Sequence, residues 1–395
     1  MINGLSFTAT TDPEVAQPGV NLATALFGLL LGAGVLMGCY AFLAGHHHVY
    51  NNTRDMPWGI LISTYAFFAI TSTGLCLLAA LSHIFGGNRL APTANRLVWC
   101  SLITIIGAFT VIGFEIESPH RMLLYNVISP NITSNIWWMG TLYGMAVGFM
   151  VVEFWLIVTK QYQLAVMLGI GGALAEVAAN TCLGGVFATL PSRPFWYGGM
   201  IPILFISCAF MQGAAAAILF NYFAVKIRGK KFDDVMMGAL QAAGKVLLFM
   251  LVMVSVATFW RMISFYVGGT NAGRSAADAL VYGPLSINFK FFEITVGLLL
   301  PIILLVVTRL KSPVVMVISA AMVLLGMFFA RYDMVVAGQI VPQYLGWDDL
   351  PKYLSYTPSF GEIMVTLAGF GMAGSAFLLG ERFLGKVLSD HGEHH

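Results

Sequence analysis

The sequence predicts an all-α protein that crosses a membrane about ten times. Only 10% of its 395 residues are charged and 58% are hydrophobic, whereas roughly 25% of residues are charged in soluble globular proteins. The shortage of charge extends along the whole chain and the mean hydropathy is +0.82, which favours a polytopic membrane protein over a soluble domain with one anchor. The polar–apolar alternation of membrane β-strands is absent from the sequence, so helices are the expected spanning form.

Ten apolar runs are long enough to cross a bilayer at about 1.5 Å per helical residue. We place them at 20–44, 57–85, 95–116, 134–159, 164–186, 197–226, 236–267, 288–310, 313–337 and 358–385. Short motifs before spans 2 and 4 recur before spans 6 and 8, which predicts two four-helix bundles of the same orientation plus two flanking helices. The predicted divisions are an N-terminal cytoplasmic segment at 1–19, a flanking helix at 20–44, a first bundle at 45–190, a second bundle at 191–340, and a flanking helix with a cytoplasmic tail at 341–395.

The basic residues predict the orientation of the spans. Lysine and arginine are more frequent in the set of loops that contains the run KIRGKK at 226–231 than in the opposite set. Because cytoplasmic loops are enriched in these residues, both termini are predicted to be cytoplasmic, and the protein is expected in the inner (cytoplasmic) membrane of a bacterium or an archaeon. Residues 1–19 contain no lysine or arginine, so we expect no cleavable signal peptide. The segment from 112 to 140 then faces the periplasm.

Composition excludes several classes of function. The formal net charge of +2 predicts no nucleic-acid partner, and the five cysteines form no CxxC motif, so we expect no iron–sulfur cluster or zinc site in this chain. No histidine lies in the middle of a span, and we expect no haem, although a pair such as His48 with His120 at the outer surface is conceivable. The run His46–His48 could bind a metal or could simply be solvated beside the interface.

The segment from 112 to 140 places unusual chemistry where two apolar runs meet water. Glu115 and Glu117 end one run, His120 and Arg121 follow at once, and the next run opens at Ser134. An acid, an imidazole and a guanidinium together can hold and protonate a lipid-soluble molecule with a polar head. The alternative interpretation is an ordinary charged loop at a helix end.

Ionisable residues within the spans need partners or a function, because a charge in the bilayer core costs roughly 2.5–3.5 kcal/mol on insertion scales. In the second bundle the two signs are nearly balanced, and we predict structural ion pairs among Arg261, Glu293, Arg331 and Asp333.

In the first bundle, Glu176 has no basic residue predicted at its depth and could carry a proton. We hypothesise a proton path from the outer site to the cytoplasm through Glu176, Thr71, Thr73 and either His83 or Glu153. The alternative is a neutral carboxylic acid that is hydrogen-bonded between helices.

These motifs resemble those of a known family. The run EIESPHR at 115–121, followed by PN at 130–131, Ser134 and WW at 137–138, resembles the acid–x–x–x–Pro–x–Arg…Pro–Asn…Ser…Trp signature of the NrfD/PsrC family, the polysulfide reductase family of membrane subunits in respiratory quinone oxidoreductases. Later motifs at 291–293 and 331–333 are similar to those of its ten-span branch, which includes the HybB and DsrP proteins. Many relatives have Asp–x–Gly–Arg–Pro where this chain has EIESP.

The resemblance implies a quinone site in the first bundle near the outer surface. It implies non-covalently bound menaquinone or ubiquinone, and no haem or iron–sulfur cluster in this chain. It also implies a periplasmic, ferredoxin-like iron–sulfur subunit on that face, which would serve a molybdopterin enzyme, a hydrogenase or a multihaem cytochrome of the same complex. The surrounding contacts would be with membrane lipids.

From the residues and the resemblance we predict the quinone-reactive subunit of a membrane oxidoreductase, which does not itself act on the terminal substrate. Tyr65 and His120 would bind the ring oxygens, and Glu115 or Glu117 would accept or supply a proton.

Three further residues are predicted to fix the loop, namely Arg121, Asn131 and Ser134, while Trp138 would pack on the ring or on the loop. The alternatives are a secondary transporter or channel with a site between the bundles near Glu176 and Arg261, and a passive membrane anchor without bound quinone.

Overall fold

The computed structural model describes residues 18–84, 89–343 and 351–389, and the side chains of residues 83 and 84 lie outside that description. Within these ranges the chain forms fourteen α-helices and no strand. Ten of the described helices are long and apolar enough to cross a membrane. The prediction of an all-α polytopic membrane protein is therefore confirmed.

The helices follow one another with short connections. Their bounds are α1 Pro18–Ala44, α2 His46–Val49, α3 Ile60–Ile84, α4 Ala94–Glu115, α5 Pro119–Ile128, α6 Asn135–Val158, α7 Tyr162–Ala188, α8 Met200–Ile227, α9 Asp234–Val267, α10 Asn271–Val281, a π-helix Asn288–Leu299 that continues into α11 Leu300–Thr308, α12 Pro313–Ala337, α13 Phe360–Phe383 and α14 Gly385–Leu388. The short α2, α5, α10 and α14 lie between or after the spanning helices. Most of the predicted segment 1–19, and residues 344–350 and 390–395 of the predicted segment 341–395, lie outside the described residues.

Side-chain caps start several of the spanning helices. The hydroxyl of Ser134 accepts from Trp137 N at the start of α6, and Ser312 accepts from Val315 N at the start of α12. At the start of α13, Ser359 and Glu362 form a reciprocal capping box. Such caps satisfy backbone N–H groups that have no partner within the helix.

The second span begins three residues later than predicted. Pro57 and Gly59 are not helical, and α3 starts at Ile60. The reason lies in Trp58 between them, whose backbone N–H donates to Gln339 Oε1 over 3.1 Å while its carbonyl accepts from Gln339 Nε2 over 2.9 Å. The backbone of this segment is therefore bound to the end of α12 instead of continuing a helix.

The spanning helices pack in two neighbouring groups. Helix α3 packs on α4 and α7, and α6 packs on α7; in the other group α8 packs on α9 and α12, and α12 packs on the π-helix and α11. Helices α3 and α8 join the groups, because Gly74 and Gly213 meet backbone to backbone and a Cβ on either would overlap the other. Helix α13 lies on α4 and is covered by α1. That the two groups form separate domains remains a prediction.

A buried ion cluster ties three spanning helices together at the end of the bundle that we call the Glu381 end. Arg96 Nε lies 2.6 Å from Glu381 Oε1, and Arg228 Nη2 lies 2.9 Å from Glu381 Oε2. Arg96 Nη1 also donates to Asn221 Oδ1 over 3.0 Å. Because the carboxylate lies between two guanidinium groups, its burial is compensated. We call the opposite end of the bundle the Glu115 end.

Candidate functional site

A pocket of about 230 Å³ opens at the Glu115 end, where α2, the segment before α3 and the last turn of α4 meet. Its lining is mostly polar and comprises His46, His47, Tyr50, Asn52, Thr53, Pro57, Glu115 and Glu117. Two of the predicted acids, Glu115 and Glu117, are therefore side by side in one cavity.

Glu115 is the last residue of α4 and presents a half-satisfied carboxylate to this pocket. Its Oε1 atom accepts from Asn52 Nδ2 over 2.9 Å. Its Oε2 atom is buried and has no hydrogen-bond partner among the described residues. Since buried polar atoms are nearly always hydrogen-bonded in native proteins, this oxygen is positioned for a water molecule or a ligand.

Of the two histidines in the pocket lining, His46 is the less exposed. Its ring lies between Phe42 and Tyr50, with centroids 5.1 and 5.0 Å away, and its Nε2 atom is buried without a described partner. Burial lowers the pKa of His46, and the negative charge of Glu117 partly opposes that change. The neutral imidazole is therefore available near pH 7 and can accept a proton.

A hydrogen-bond network holds the wall that carries Asn52. Glu362 on α13 accepts from Asn51 N over 3.1 Å and from Ser359 N over 2.8 Å, and it also accepts from the hydroxyl of Tyr356. The Tyr356 hydroxyl in turn accepts from Ile60 N over 2.9 Å. Burial and the charge of Glu362 raise the pKa of Tyr356, so this phenol remains a donor. Helix α13 thereby fixes the segment between α2 and α3.

The predicted loop residues lie outside the lining of this pocket. His120 and Arg121 are exposed on α5, a helix in the segment predicted to be a loop. Asn131 Oδ1 accepts from Thr133 Oγ1 over 2.8 Å, and Ser134 caps α6.

Trp138 is also outside the pocket and contacts the loop instead. Its Nε1 atom donates to Ile132 O over 2.9 Å, and the neighbouring Trp137 Nε1 donates to Asn126 O over 2.8 Å. The two indoles therefore fix the backbone between α5 and α6.

Tyr65 lies deeper in the first group of helices, away from the pocket. Its side chain is buried on α3, and its ring is edge-on to that of Tyr143, with centroids 6.5 Å apart. The tyrosine of the Glu115 pocket is instead Tyr50, which donates to Phe114 O over 3.1 Å.

A polar core surrounds Glu176 in the interior of the first group. Glu176 Oε1 accepts from Ser72 Oγ over 3.0 Å, and Ser72 and Ser101 share hydrogen bonds of the same length. Buried atoms without a described partner are Glu176 Oε2, Tyr143 OH and both amide atoms of Asn180. Four such atoms in one region indicate internal water, because waters bridge buried polar groups that proteins leave unpaired.

The other residues of the predicted proton path are only partly connected to this core. Thr73 Oγ1 donates to Ala69 O in its own helix over 3.0 Å, and Thr71 Oγ1 faces the second group, 2.9 Å from Gln212 Oε1. Glu153 is buried on α6, against the backbone of Gly169 on α7. The side chain of His83 lies outside the described residues.

The charged residues of the second group share a region without forming direct ion pairs. Within the described ranges, no acid–base pair among Arg261, Glu293, Arg331 and Asp333 lies within 4.0 Å. Arg331 Nη2 instead donates to Cys208 Sγ over 3.0 Å, Arg261 Nη2 donates to the Phe195 carbonyl over 3.1 Å, and Asp333 accepts from Asn288 over 3.1 Å. The balance of signs was visible in the sequence, but these partners were not.

A metal site at the histidine run receives no support from the geometry. In the part of the chain that the structure describes, no group of three or more His, Cys, Asp or Glu side chains could hold a metal ion. The rings of His47 and His48 contact each other in a tilted arrangement, with centroids 3.9 Å apart.

Comparison with known proteins identifies the family. The family described as polysulphide reductase, NrfD, matches residues 48–343. The chain belongs to this family. The matched part of this NrfD-family protein extends from α2 to just past α12 and includes Glu115 and the 112–140 segment.

Two relatives match most of the chain. One is the Hdr-like menaquinol oxidoreductase integral membrane subunit of Archaeoglobus fulgidus, which is 22% identical over 374 residues and covers 91% of this chain and 92% of the relative. The other is a subunit of the selenate reductase of Mesobacillus selenatarsenatis, which is 20% identical over 374 residues and covers 81% of this chain and 85% of the relative. The NrfD-family protein is therefore similar over most of its length to subunits of two different oxidoreductases.

Proposed function

We propose that this chain is the quinone-reactive membrane subunit of a respiratory oxidoreductase complex and that the polar head of the quinone binds in the Glu115 pocket. Membership of the NrfD family and the similarity to a protein named as a menaquinol oxidoreductase subunit support a quinone as the substrate. The observation that carries the assignment to this pocket is the buried, unpartnered Oε2 atom of Glu115 beside the unpartnered Nε2 atom of His46.

The size and position of the pocket suit a head group on a lipid-soluble tail. Its 230 Å³ is less than the roughly 300–1,000 Å³ that encloses a drug-sized ligand. Only the ring would be held by the protein, while the isoprenoid tail would remain among the lipids that surround the spanning helices.

Two residues of the pocket can accept the protons that quinol oxidation releases. A quinol that gives up two electrons also releases two protons, and the electrons would pass to an iron–sulfur cluster in a partner subunit. Glu115 Oε2 would accept one proton and His46 Nε2 the other, since both atoms are buried, unpaired and able to accept. Exposed Glu117 at the rim would pass protons on to water. In the reverse direction the same groups would supply the two protons.

The exposed helix α5 is proposed as part of the surface on which the iron–sulfur subunit docks. His120 and Arg121 lie exposed on this helix, three and four residues after Glu117 of the pocket lining, and the loop beyond it is fixed by Trp137 and Trp138. With the Glu115 end in the periplasm, as the basic loops predict, that subunit would be periplasmic and would serve a molybdopterin enzyme, a hydrogenase or a multihaem cytochrome. Both termini would then be cytoplasmic.

A proton path through the first group of helices is a second proposal. The polar core around Glu176 and Asn180, with Ser72 and Ser101 beside it, provides groups that could carry protons between the Glu115 end and buried Glu153. No continuous chain of hydrogen bonds joins these described residues, so the path requires internal water.

A transporter is less well supported by the same geometry. That function requires a shared site between the groups of helices near Glu176 and Arg261. Glu176 is instead enclosed in the first group and bonded to Ser72, while Arg261 lines a different small cavity with Glu293 and Arg331.

The experiment compares two histidines in the assembled complex purified from native membranes, with the co-purified quinone identified in the lipid extract. We expect His46→Gln to lower the rate of menadiol oxidation by about 10²-fold or more, the lower limit for loss of a proton-transfer group. His48→Gln is the matched control and should change the rate by less than about threefold, because the exposed His48 side chain lies outside the pocket lining. Equal effects of the two substitutions, or a lipid extract without quinone, would count against the proposal.

A further inference from the structure

A second and larger cavity, of about 620 Å³, lies on the far side of α3 from the polar core. We call it the interhelix cavity. Its walls come from α3, α8, α12 and α13, with one residue each from α1 and α4, and it extends from Ile60 and Ile363 near the Glu115 end to Phe220 and Gly374. This volume falls within the range of natural ligand pockets, roughly 300–1,000 Å³.

The lining of the interhelix cavity is uncharged and rich in aromatic rings. Among the described residues, no Lys, Arg, Asp, Glu or His lines it, and phenylalanine is its commonest residue. Phe67, Phe328 and Phe370 form one wall, with ring centroids 5.7 to 6.1 Å apart. A molecule that binds here would therefore be neutral, and flat rings can stack against these side chains.

The three hydroxyls in the lining already have protein acceptors or partners. Thr104 donates to Cys100 O over 2.6 Å, Thr71 Oγ1 lies 2.7 Å from Phe67 O, and Thr366 shares a 3.3 Å hydrogen bond with Thr64. Water would find few polar partners in this cavity, and apolar cavities of this kind remain dry.

The interhelix cavity opens toward the membrane between α12 and α13. Leu325 on α12 and Ile363 on α13 belong to its lining, yet 47% and 43% of their surfaces are exposed. Both residues lie within helices long and apolar enough to span the bilayer. A lipid-soluble molecule can therefore enter sideways from the hydrocarbon.

The two cavities are separate. A small hydrophobic cluster that includes Tyr50, Leu61, Val111 and Val365, all fully or almost fully buried, lies at the Glu115 end. Tyr50 lines the Glu115 pocket, while Leu61 and Val365 are each adjacent in sequence to a residue that lines the interhelix cavity. An occupant of the interhelix cavity would thus not reach Glu115.

One polar group behind the phenylalanine wall indicates that a molecule bound in the cavity has a polar atom. Gln212 on α8 is fully buried, its Oε1 atom lies 2.9 Å from Thr71 Oγ1, and its Nε2 atom has no partner among the described residues. Thr71 and Ala216, one helical turn from Gln212, both line the cavity. A buried amide with one terminal atom unpaired calls for a polar partner, which a bare acyl chain lacks and the oxygens of a quinone or quinol ring supply.

We propose that the interhelix cavity binds a second polyprenyl quinone, with its ring against the phenylalanine wall near Thr71, one ring oxygen toward the Gln212 amide, and its tail leaving between α12 and α13. The choice of a quinone as occupant rests on the proposed function. The cavity, its separation from Glu115 and its unpaired amide do not depend on that function.

The test uses a menaquinone analogue with a diazirine on its ring, applied to the complex in nanodiscs, followed by mapping of the cross-linked peptides. We expect two sets of labelled peptides, one around 46–57 and 112–117 and one around 212–220 and 321–329. Ala321→Trp, at an exposed position in the cavity lining, should remove only the second set. Ile318→Trp is the matched control, since Ile318 is exposed on the same helix outside the lining, and it should leave both sets intact.

Gln212→Met tests the ring position without blocking the cavity. Loss of one hydrogen bond should weaken labelling of the second set by about three- to tenfold and leave the first set unchanged. A diazirine-labelled phosphatidylcholine serves as the competing occupant, and we expect it to leave the second set of quinone cross-links in place.

Several outcomes would overturn the inference. If only the first set is labelled, the second site is wrong while the proposed function stands; if neither set is labelled, both fail. A second set that survives Ala321→Trp would place the label elsewhere. Equal labelling by the phosphatidylcholine probe would show that the cavity holds an acyl chain. No effect of Gln212→Met on the second set would overturn the placement of the ring against Gln212.

Discussion

Replacement of Glu115 by glutamine isolates the proton-accepting role of its carboxylate. The amide has nearly the same shape, and its oxygen can still accept from Asn52 over the 2.9 Å that the carboxylate uses. The substitution changes the buried Oε2 atom of Glu115, which faces the pocket without a protein partner. This oxygen can take up a proton, whereas the NH₂ group that replaces it cannot.

The structure sets the expected size of this effect. Because Glu115 Oε2 is buried, bulk water cannot directly replace it as the proton acceptor, so the full contribution of a positioned base, about 10²–10⁴ in rate, should be lost. That loss corresponds to about 2.7–5.5 kcal/mol of activation free energy. Quinol affinity should change far less, since the hydrogen bond to Asn52 and the shape of the pocket are retained.

The assay is the steady-state oxidation of menadiol by the purified complex, with kcat and KM determined separately. Glu117→Gln is the matched control: Glu117 lines the same pocket but is exposed, so water can replace it, and we expect a loss of less than about tenfold. A Glu115→Gln rate within about threefold of the unmodified complex would refute the role of this carboxylate, as would a change in KM with kcat unchanged.

The remaining predictions concern three other parts of the chain. Burial lowers the pKa of His46, so its proton-accepting form should persist below the usual histidine pKa of about 6.5. The acid limb of the pH–rate profile for menadiol oxidation should therefore lie below that pH, and it should shift in His46→Gln. An acid limb at or above that pH that is unchanged in His46→Gln would contradict this role. Glu381→Gln leaves the guanidinium groups of Arg96 and Arg228 buried without a counter-charge, so unfolding in mixed micelles should show a loss of about 3–5 kcal/mol, and a loss below about 1 kcal/mol would be evidence against the cluster. Glu176→Gln keeps an acceptor for Ser72 but cannot carry a proton; in proteoliposomes it should lower the number of protons moved per electron while quinone binding is retained, and an unchanged stoichiometry would exclude the proposed path.

Hydropathy was sufficient to predict the spanning helices, because a segment in hydrocarbon must satisfy its own backbone hydrogen bonds and expose apolar side chains. The predicted run 313–337 and the observed helix α12 have the same bounds. The same reasoning missed α5, since this helix is only ten residues long and exposes most of its apolar side chains. Pro119 at its first position was the available signal, because proline is favoured at helix starts.

The candidate site was only half predictable. Glu115 and Glu117 stood out because acids rarely end an apolar run, but the sequence pointed to nearby His120 for the imidazole. The structure brings His46 to the pocket instead, because Gly38 allows α1 to pack closely on Phe114, the neighbour of Glu115. A contact between residues so distant in the chain depends on helix packing, which local patterns do not encode.

The balance of charges in the second group predicted that its charged residues lie near one another, but it did not predict which atoms they contact. Arg261, Glu293 and Arg331 do line one cavity, as opposite charges in a membrane should. Their hydrogen bonds, however, go to other partners, such as Cys208 for Arg331. Which of several partners a guanidinium selects depends on geometry at the scale of a few tenths of an ångström.

The most direct test of the central claim is a cryo-electron microscopy map of the assembled complex in nanodiscs supplied with menaquinone. We predict ring density in the Glu115 pocket, with one ring oxygen within hydrogen-bond distance of Glu115 Oε2 or His46 Nε2. A map in which that pocket holds only water, while quinone lies beside Tyr65 and Glu176, would contradict the claim.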